Sequence, residues 1–165
     1  MSLERHVYVG LGSNLDDPCR QVTQALGELA TLPLTRRLGA SRLYASRPQG
    51  PQDQPDFINA VAWLETRLSP LALLDQLQAL EQRHRRVRGQ RWGPRSLDLD
   101  LLLYGSRQLH LARLTLPHPE MLGRPFVLVP LAELAAQRRL PDGRTIARAA
   151  EALDASGLRA VLPGD

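Results

Sequence analysis

Gln90-Arg91-Trp92-Gly93-Pro94-Arg95-Ser96-Leu97-Asp98-Leu99-Asp100-Leu101-Leu102-Leu103-Tyr104-Gly105 is the stretch on which the reading of this chain turns. It opens as a basic loop carrying glycine, proline and a tryptophan. It ends as a strand, in which Leu97, Leu99, Leu101 and Leu103 alternate with Asp98, Asp100, Leu102 and Tyr104. Alternate strand residues share a face, so Asp98 and Asp100 project the same way, roughly 6.6 Å apart along the chain. Aspartate is disfavoured inside strands, and two like charges side by side repel unless a cation neutralises them. A strand with one solvated face accounts for the alternation alone. A divalent-metal site accounts for it and for the upstream arginines together. Paired carboxylates and phosphate oxygens are the ligands that Mg²⁺ prefers, and two such ions can clamp a phosphoryl displacement.

Outward from this stretch, the 165 residues suit a single domain spanning 1–165. A net charge of +4 and an isoelectric point near 10.2 point to a polyanionic partner: nucleic acid, an acidic membrane or a nucleotide. All 21 basic residues are arginine. That excludes a P-loop lysine and Schiff-base chemistry, and leaves phosphate recognition to guanidinium groups; genomic codon bias explains the same count. Cys19 is the only cysteine, which excludes an intrachain disulfide and a zinc knuckle. No apolar run approaches membrane-spanning length. The expectation is a soluble cytoplasmic protein.

Upstream, His6-Val7-Tyr8-Val9-Gly10-Leu11-Gly12 reads as a strand with Val7, Val9 and Leu11 towards a core and Gly10 and Gly12 on the other face. The Gly-x-Gly lacks the third glycine of a dinucleotide fingerprint; a close backbone approach or a tight turn explains it. Asp17-Pro18 starts a helix, with Val22, Ala25, Leu26, Leu29 and Ala30 as its apolar stripe. A second strand is expected over about 34–47, then a polar, proline-rich loop. Phe57 to Thr66 is a third strand, with Ile58, Ala60, Ala62 and Leu64 on one face and Phe57, Asn59, Val61 and Trp63 on the other. Ser69-Pro70 caps a long helix to about Arg88 that buries Leu71, Leu74, Leu77, Leu80 and Val87. After the aspartate strand come a short hairpin arm over Leu109 to Leu116, a break at Pro117-His118-Pro119, and a helix to about Ala136 interrupted or restarted at Pro130. A last helix is marked by Ile146, Ala149, Ala150 and Leu153.

The order predicts an α+β fold: a ferredoxin-like β-α-β-β-α-β antiparallel sheet, helices on both faces as an α/β/α sandwich, and a helical C-terminal extension. In that topology the first strand lies between the third and the fourth and runs opposite to both. Gly10 and Gly12, Phe57 and Asn59, and Asp98 and Asp100 then meet at one end of the sheet. An aromatic ring, an amide and two carboxylates at one place make a candidate site.

Three groups of residues resemble the 6-hydroxymethyl-7,8-dihydropterin pyrophosphokinase family. They are Gly12-Ser13-Asn14-Leu15, Gly50 through Asn59, and above all Arg91-Trp92-Gly93-Pro94-Arg95-Ser96-Leu97-Asp98-Leu99-Asp100, with Leu116-Pro117-His118-Pro119, Arg124 and Phe126 extending the match. The resemblance covers nearly the whole chain. It implies transfer of diphosphate from ATP to the pterin hydroxymethyl group, with release of AMP, in folate biosynthesis. It also implies two Mg²⁺ ions held by Asp98 and Asp100, ATP as co-substrate, and a monomer that engages neither nucleic acid nor membrane.

The same resemblance implies Phe57 and Phe126 stacked on the two pterin faces, which suits a flat heterocycle. Asn59 on the ring edge offers it both a donor and an acceptor. Arg86, Trp92 and Arg95 correspond to a mobile loop that closes over the substrates, the two arginines with a catalytic part. Gln78, Glu81, Arg88, Arg113, Thr115, His118 and Arg124 correspond to the nucleotide side. The chain departs from the family pattern at Phe57, where a tyrosine is frequent, at Pro119, where an aromatic is common, and at Gly89, which replaces a longer residue. His6, His84 and His110 match nothing and read as structural or surface residues.

Two other classes fit part of the pattern. An RNA-binding sheet would use Phe57 to stack a base, although aromatic content is only 4% and the bare carboxylate pair repels phosphate. A two-metal nucleotidyltransferase or nuclease would use paired aspartates equally well.

Overall fold

The computed structural model describes residues 3–15, 17–47, 55–87 and 97–162, with side chains in the second helix as far as Arg85. After a 3-10 turn at Leu3–Arg5, the order is β1 (His6–Ser13), α1 (Pro18–Leu29), β2 (Thr35–Ala40), β3 (Tyr44–Ser46), β4 (Phe57–Thr66), α2 (Pro70–Val87) and β5 (Asp98–Tyr104). A two-strand arm, β6 (Leu109–His110) with β7 (Thr115–Leu116), precedes α3 (Pro125–Ala135), α4 (Ile146–Glu151) and β8 (Leu158–Ala160).

Local chemistry sets the helix starts. Asp17 accepts the Arg20 N–H and Pro18 opens α1, Ser69 Oγ accepts the Ala72 N–H ahead of α2, and Thr145 accepts the Arg148 N–H at α4. Each side chain satisfies a first-turn donor that has no partner inside the helix.

The main sheet runs β5-β1-β4-β3-β8, with β2 also paired to β4. β1 lies between β4 and β5, antiparallel to both. Its register sets Gly12 opposite Asn59 and Asp98, and Gly10 opposite Val61 and Asp100. The alternation expected from sequence divides the core between two faces. Val7, Val9 and Leu11 pack with Ile58, Ala60, Leu99, α1 and α2. Tyr8, Val61 and Leu102 pack with Val127, Leu128, Leu131 and Ile146 of α3 and α4.

Four details differ from expectation. The second strand is two pieces, because Ser41 leaves the β2 line: its N–H donates to Val61 O and its Oγ accepts the Val61 N–H. On α2, Leu71 is exposed and Leu73 is buried instead, so the stripe begins two residues later. α3 runs through Pro130 without a break, with that proline buried. β8 was not foreseen; three residues without a repeating pattern become a strand only because β3 offers a free edge.

Candidate active site

At the end of the sheet where β1 finishes and β4 and β5 begin, a cavity of about 280 Å³ opens. Its floor is the backbone of Gly10, Leu11 and Gly12, and its walls include Phe57, Asn59, Asp98, Asp100, Arg124 and Phe126. The cavity depends on Gly12: a Cβ there would stand 3.2 Å from Asn59 Oδ1. Asn59 is itself buried, and its Nδ2 donates to Ser46 Oγ at 2.8 Å. That bond orients the amide and leaves the carbonyl oxygen above the glycine. Phe57 and Phe126 are both half-buried in the wall.

Asp98 and Asp100 are half-buried on the same face of β5, while the intervening Leu99 is buried in the core. His118 Nε2 stands 4.0 Å from Asp100 Oδ1, and its Nδ1 accepts the Glu120 N–H at 3.2 Å. With Nδ1 an acceptor, a neutral ring carries its proton on Nε2, on the aspartate side. Arg124 lies 5.8 Å from the Phe126 ring centroid and pairs with Glu120.

The donor set fits a hard divalent ion. Two carboxylates at the rim leave coordination positions open for water and phosphate, as Mg²⁺ binding requires. Among the described residues no group of three His, Cys, Asp or Glu side chains converges as an all-protein metal cage.

Not every residue named from sequence lines this cavity. Arg113 and Gln78 meet outside it, where Arg113 Nη2 donates to Gln78 Oε1 at 3.1 Å and to Asp75 Oδ1 at 2.5 Å. Thr115 is half-buried on β7, and Glu81 is buried on α2 with Oε2 accepting the Leu99 N–H at 2.8 Å. The Arg86 side chain and residues Arg88, Gly89, Trp92 and Arg95 lie outside the described residues. Two polar wall residues, Ser46 and Arg47, were not named as site residues from sequence. A serine followed by an arginine carries no signal of its own; only the pairing of Ser46 with Phe57 across β3 and β4 reveals it.

Size does not select the site. A cavity of about 600 Å³ lies at the other end of β4, beside Arg5, Leu34, Arg36 and Glu65. There Arg36 is already paired with Glu65 at 2.8 Å, and no aromatic ring joins them.

Comparison with known proteins identifies the family. The family model for 7,8-dihydro-6-hydroxymethylpterin-pyrophosphokinase matches residues 8–136. A 2-amino-4-hydroxy-6-hydroxymethyldihydropteridine pyrophosphokinase of Pseudomonas aeruginosa is 52% identical over 160 residues, covering 97% of this chain and 98% of its own. One of the same name from Bacillus subtilis is 39% identical over 133 residues, covering 79% and 78%. Among solved structures, an HPPK-DHPS in complex with substrates superposes with a TM-score of 0.72 at 12% identity, over 89% of this chain and 43% of that one. The Plasmodium falciparum HPPK-DHPS A437G gives 0.70 at 13%, over 89% and 45%. This chain thus spans less than half of those two chains, and the likeness to them is one of fold. With a family model spanning most of the chain and relatives matched almost end to end, the chain belongs to the 7,8-dihydro-6-hydroxymethylpterin-pyrophosphokinase family of enzymes.

Proposed function

We propose that this enzyme transfers the β,γ-diphosphate of ATP to the hydroxymethyl group of 6-hydroxymethyl-7,8-dihydropterin, releasing AMP, as a step of folate biosynthesis. The observation that carries the reading is the single cavity in which Phe57, Phe126 and Asn59 face the carboxylate pair Asp98 and Asp100. The two rings offer stacking surfaces for a flat heterocycle, and the aspartates offer ligands for a metal–polyphosphate complex. One ferredoxin-like domain, read as an α/β/α sandwich of residues 1–165 acting as a monomer, is the frame that goes with it.

Phe57 and Phe126 hold the pterin by stacking, and Asn59, fixed by Ser46, reads its edge. Asp98 and Asp100 would hold two Mg²⁺ ions, which when bound would neutralise the triphosphate and make its β-phosphorus more electrophilic. The pterin hydroxyl oxygen attacks that phosphorus in line. The bond from the β-phosphorus to the α,β-bridging oxygen breaks, AMP leaves with that oxygen, and the hydroxyl proton is released. Arg124 in the wall, with Arg86 and Arg95, stabilises the charge that develops on the bridging oxygen. Gln78, Glu81, Arg88, Trp92, Arg113, Thr115 and His118 belong to the nucleotide side, and Trp92 with Arg95 closes over the pterin and excludes water.

Incubation with ATP, Mg²⁺ and the reduced pterin, with both products identified by mass, tests the reading. The expected products are AMP and the pterin diphosphate in equal amounts. Inorganic pyrophosphate with an adenylylated product indicates a nucleotidyltransferase instead.

A further inference from the structure

From α3, the Glu133 carboxylate accepts hydrogen bonds from the segment that leads into β3. Its Oε1 accepts the Arg42 backbone N–H at 3.0 Å, and its Oε2 accepts Arg42 Nε–H at 3.3 Å and the Tyr44 hydroxyl. Arg42 Nη2 in turn donates to the Tyr44 oxygen at 3.1 Å. Tyr44 is 5% exposed, and a tyrosine buried that deeply needs a partner for its hydroxyl. Arg42, Tyr44 and Glu133 do not line the cavity around Phe57 and Phe126. The cluster acts on that cavity only through what it holds.

What it holds together is two of the cavity's walls. Tyr44 lies on β3 opposite Asn59, and Ser46 lies opposite Phe57. Alternate strand residues share a face, so Ser46 reaches the Asn59 amide while Tyr44 reaches α3. Phe126 and Glu133 both belong to α3, about two turns apart, a spacing that sets them on one face of the helix. α3 runs unbroken between them, so the point held at Glu133 governs where Phe126 stands. Elsewhere α3 meets the sheet through apolar side chains, Val127, Leu128 and Leu131 against Tyr8, Val61 and Leu102. Apolar burial is non-directional, and packed helices shift over one another by about 1–2 Å in switching proteins. Hydrogen bonds select one position.

Ring stacking is sensitive to such a shift, since a gap of about 0.5–1 Å already forfeits a quarter to a half of the dispersion attraction. We infer that Tyr44 and Glu133 are positioning residues for the pterin: their hydrogen bond fixes α3 on β3, and with it the distance of the Phe126 ring from Phe57. The inference rests on the proposal that these two rings stack on the pterin. Arg124, just before α3, is tied to Glu120, and its charge acts over a longer range than stacking does. The nucleotide therefore feels a shift of α3 less than the pterin does.

Tyr44→Phe removes the hydroxyl and keeps the ring, whereas Glu133→Ala removes the acceptor for Tyr44 and Arg42 together. One readout is affinity for 6-hydroxymethyl-7,8-dihydropterin in the presence of α,β-methylene-ATP and Mg²⁺. The other is affinity for α,β-methylene-ATP with Mg²⁺ alone, both taken well below the melting temperature of each variant. Both variants are expected to lose about three- to tenfold in pterin affinity, the range that one hydrogen bond of ordinary net strength spans. Nucleotide affinity changes little. In a Phe126→Ala background Tyr44→Phe has no further effect, because the ring it positions is gone; in an Asn59→Ala background its full effect remains. Should Glu133→Ala fail to fold, Tyr44→Phe carries the test.

Wild-type pterin affinity in Tyr44→Phe, with only the melting temperature lowered, overturns the inference in favour of a purely structural bond. Equal losses for pterin and nucleotide also overturn it, as does a Tyr44→Phe loss that adds in full to that of Phe126→Ala. Phe57→Ala and Phe126→Ala in the same titration isolate the underlying proposal. If they leave pterin affinity intact, the stacking assignment fails; if they weaken it and Tyr44→Phe does not, the positioning role alone fails.

Discussion

Asn59 is engaged before any ligand arrives, its Nδ2 bonded to Ser46 Oγ and its Oδ1 standing over Gly12. A preset amide loses little freedom on binding, which favours affinity. Phe57→Ala and Asn59→Ala are therefore expected to weaken binding of the reduced pterin much more than binding of ATP. Stacking on an aromatic ring contributes about 1–3 kcal/mol per base in nucleic-acid complexes, a fair guide for Phe57. Separate titrations of the two ligands decide it, and equal losses for both would return Phe57 to the core. Gly12→Ala should give the same selective loss with little change in melting temperature, because its methyl group meets the Asn59 oxygen at 3.2 Å inside the cavity. The aspartate pair and the Phe57-x-Asn59 spacing were legible in the sequence because strand alternation alone aims such residues. Ser46 was not, since its part comes from a partner on another strand.

At the scale of elements, Leu34 and Gly105 are two of the described residues with backbone in the left-handed region. Leu34, just before β2, has φ 54° and is 63% exposed, so its side chain gains little there. The left-handed conformation costs a residue with a β-carbon about 1–2 kcal/mol, and asparagine tolerates it better. Leu34→Asn is expected to raise the melting temperature by roughly 2–4 °C, the shift that about 1 kcal/mol produces in a chain of this size. Gly105 ends β5 at φ 54°, with its N–H donating to His6 O at 2.8 Å. A Cβ there would stand 2.6 Å from the backbone oxygen of Glu4. Gly105→Ala should lose about 2 kcal/mol or more, the conformational cost plus the clash. Urea denaturation measures both; a neutral Gly105→Ala would contradict the close packing of β5 on the start of the chain. Strands β1, β4 and β5 and helices α1, α2 and α4 were legible because each carries its own period and stop signals. The break between β2 and β3 was not, because it depends on Ser41 bonding to Val61, and β8 was not, because three residues hold no period.

At the scale of the whole molecule, the sheet face under α3 buries two tyrosines, Tyr8 and Tyr44, whose deprotonation opposes folding at alkaline pH. Burial pushes the Tyr8 hydroxyl above its ordinary 10.0, partly opposed by the neighbouring Arg138 guanidinium. Burial also raises Tyr44 above 10.0, helped by the Glu133 carboxylate to which its hydroxyl donates. A raised pKa means the folded state holds the proton more tightly than the unfolded chain. The contribution is complete below the ordinary value and is lost as pH rises above it. The melting temperature is expected to fall above a pH of about 10, less steeply in a Tyr8→Phe, Tyr44→Phe double variant. A wild-type protein whose melting temperature stays level there would contradict the assignment.

The central claim is that the carboxylate pair opposite Gly10 and Gly12 carries the diphosphate transfer. Exchange of a carboxylate for an amide removes charge but almost no volume, and relieves like-charge repulsion in the metal-free protein. The decisive measurement is AMP release from ATP in the presence of Mg²⁺ and reduced pterin, made on the wild type, Asp98→Asn and Asp100→Asn, with the melting temperature of each metal-free protein alongside. The expected result is loss of turnover in both variants at an unchanged or raised melting temperature. Near-normal Mg²⁺-dependent AMP release by either variant would contradict the account.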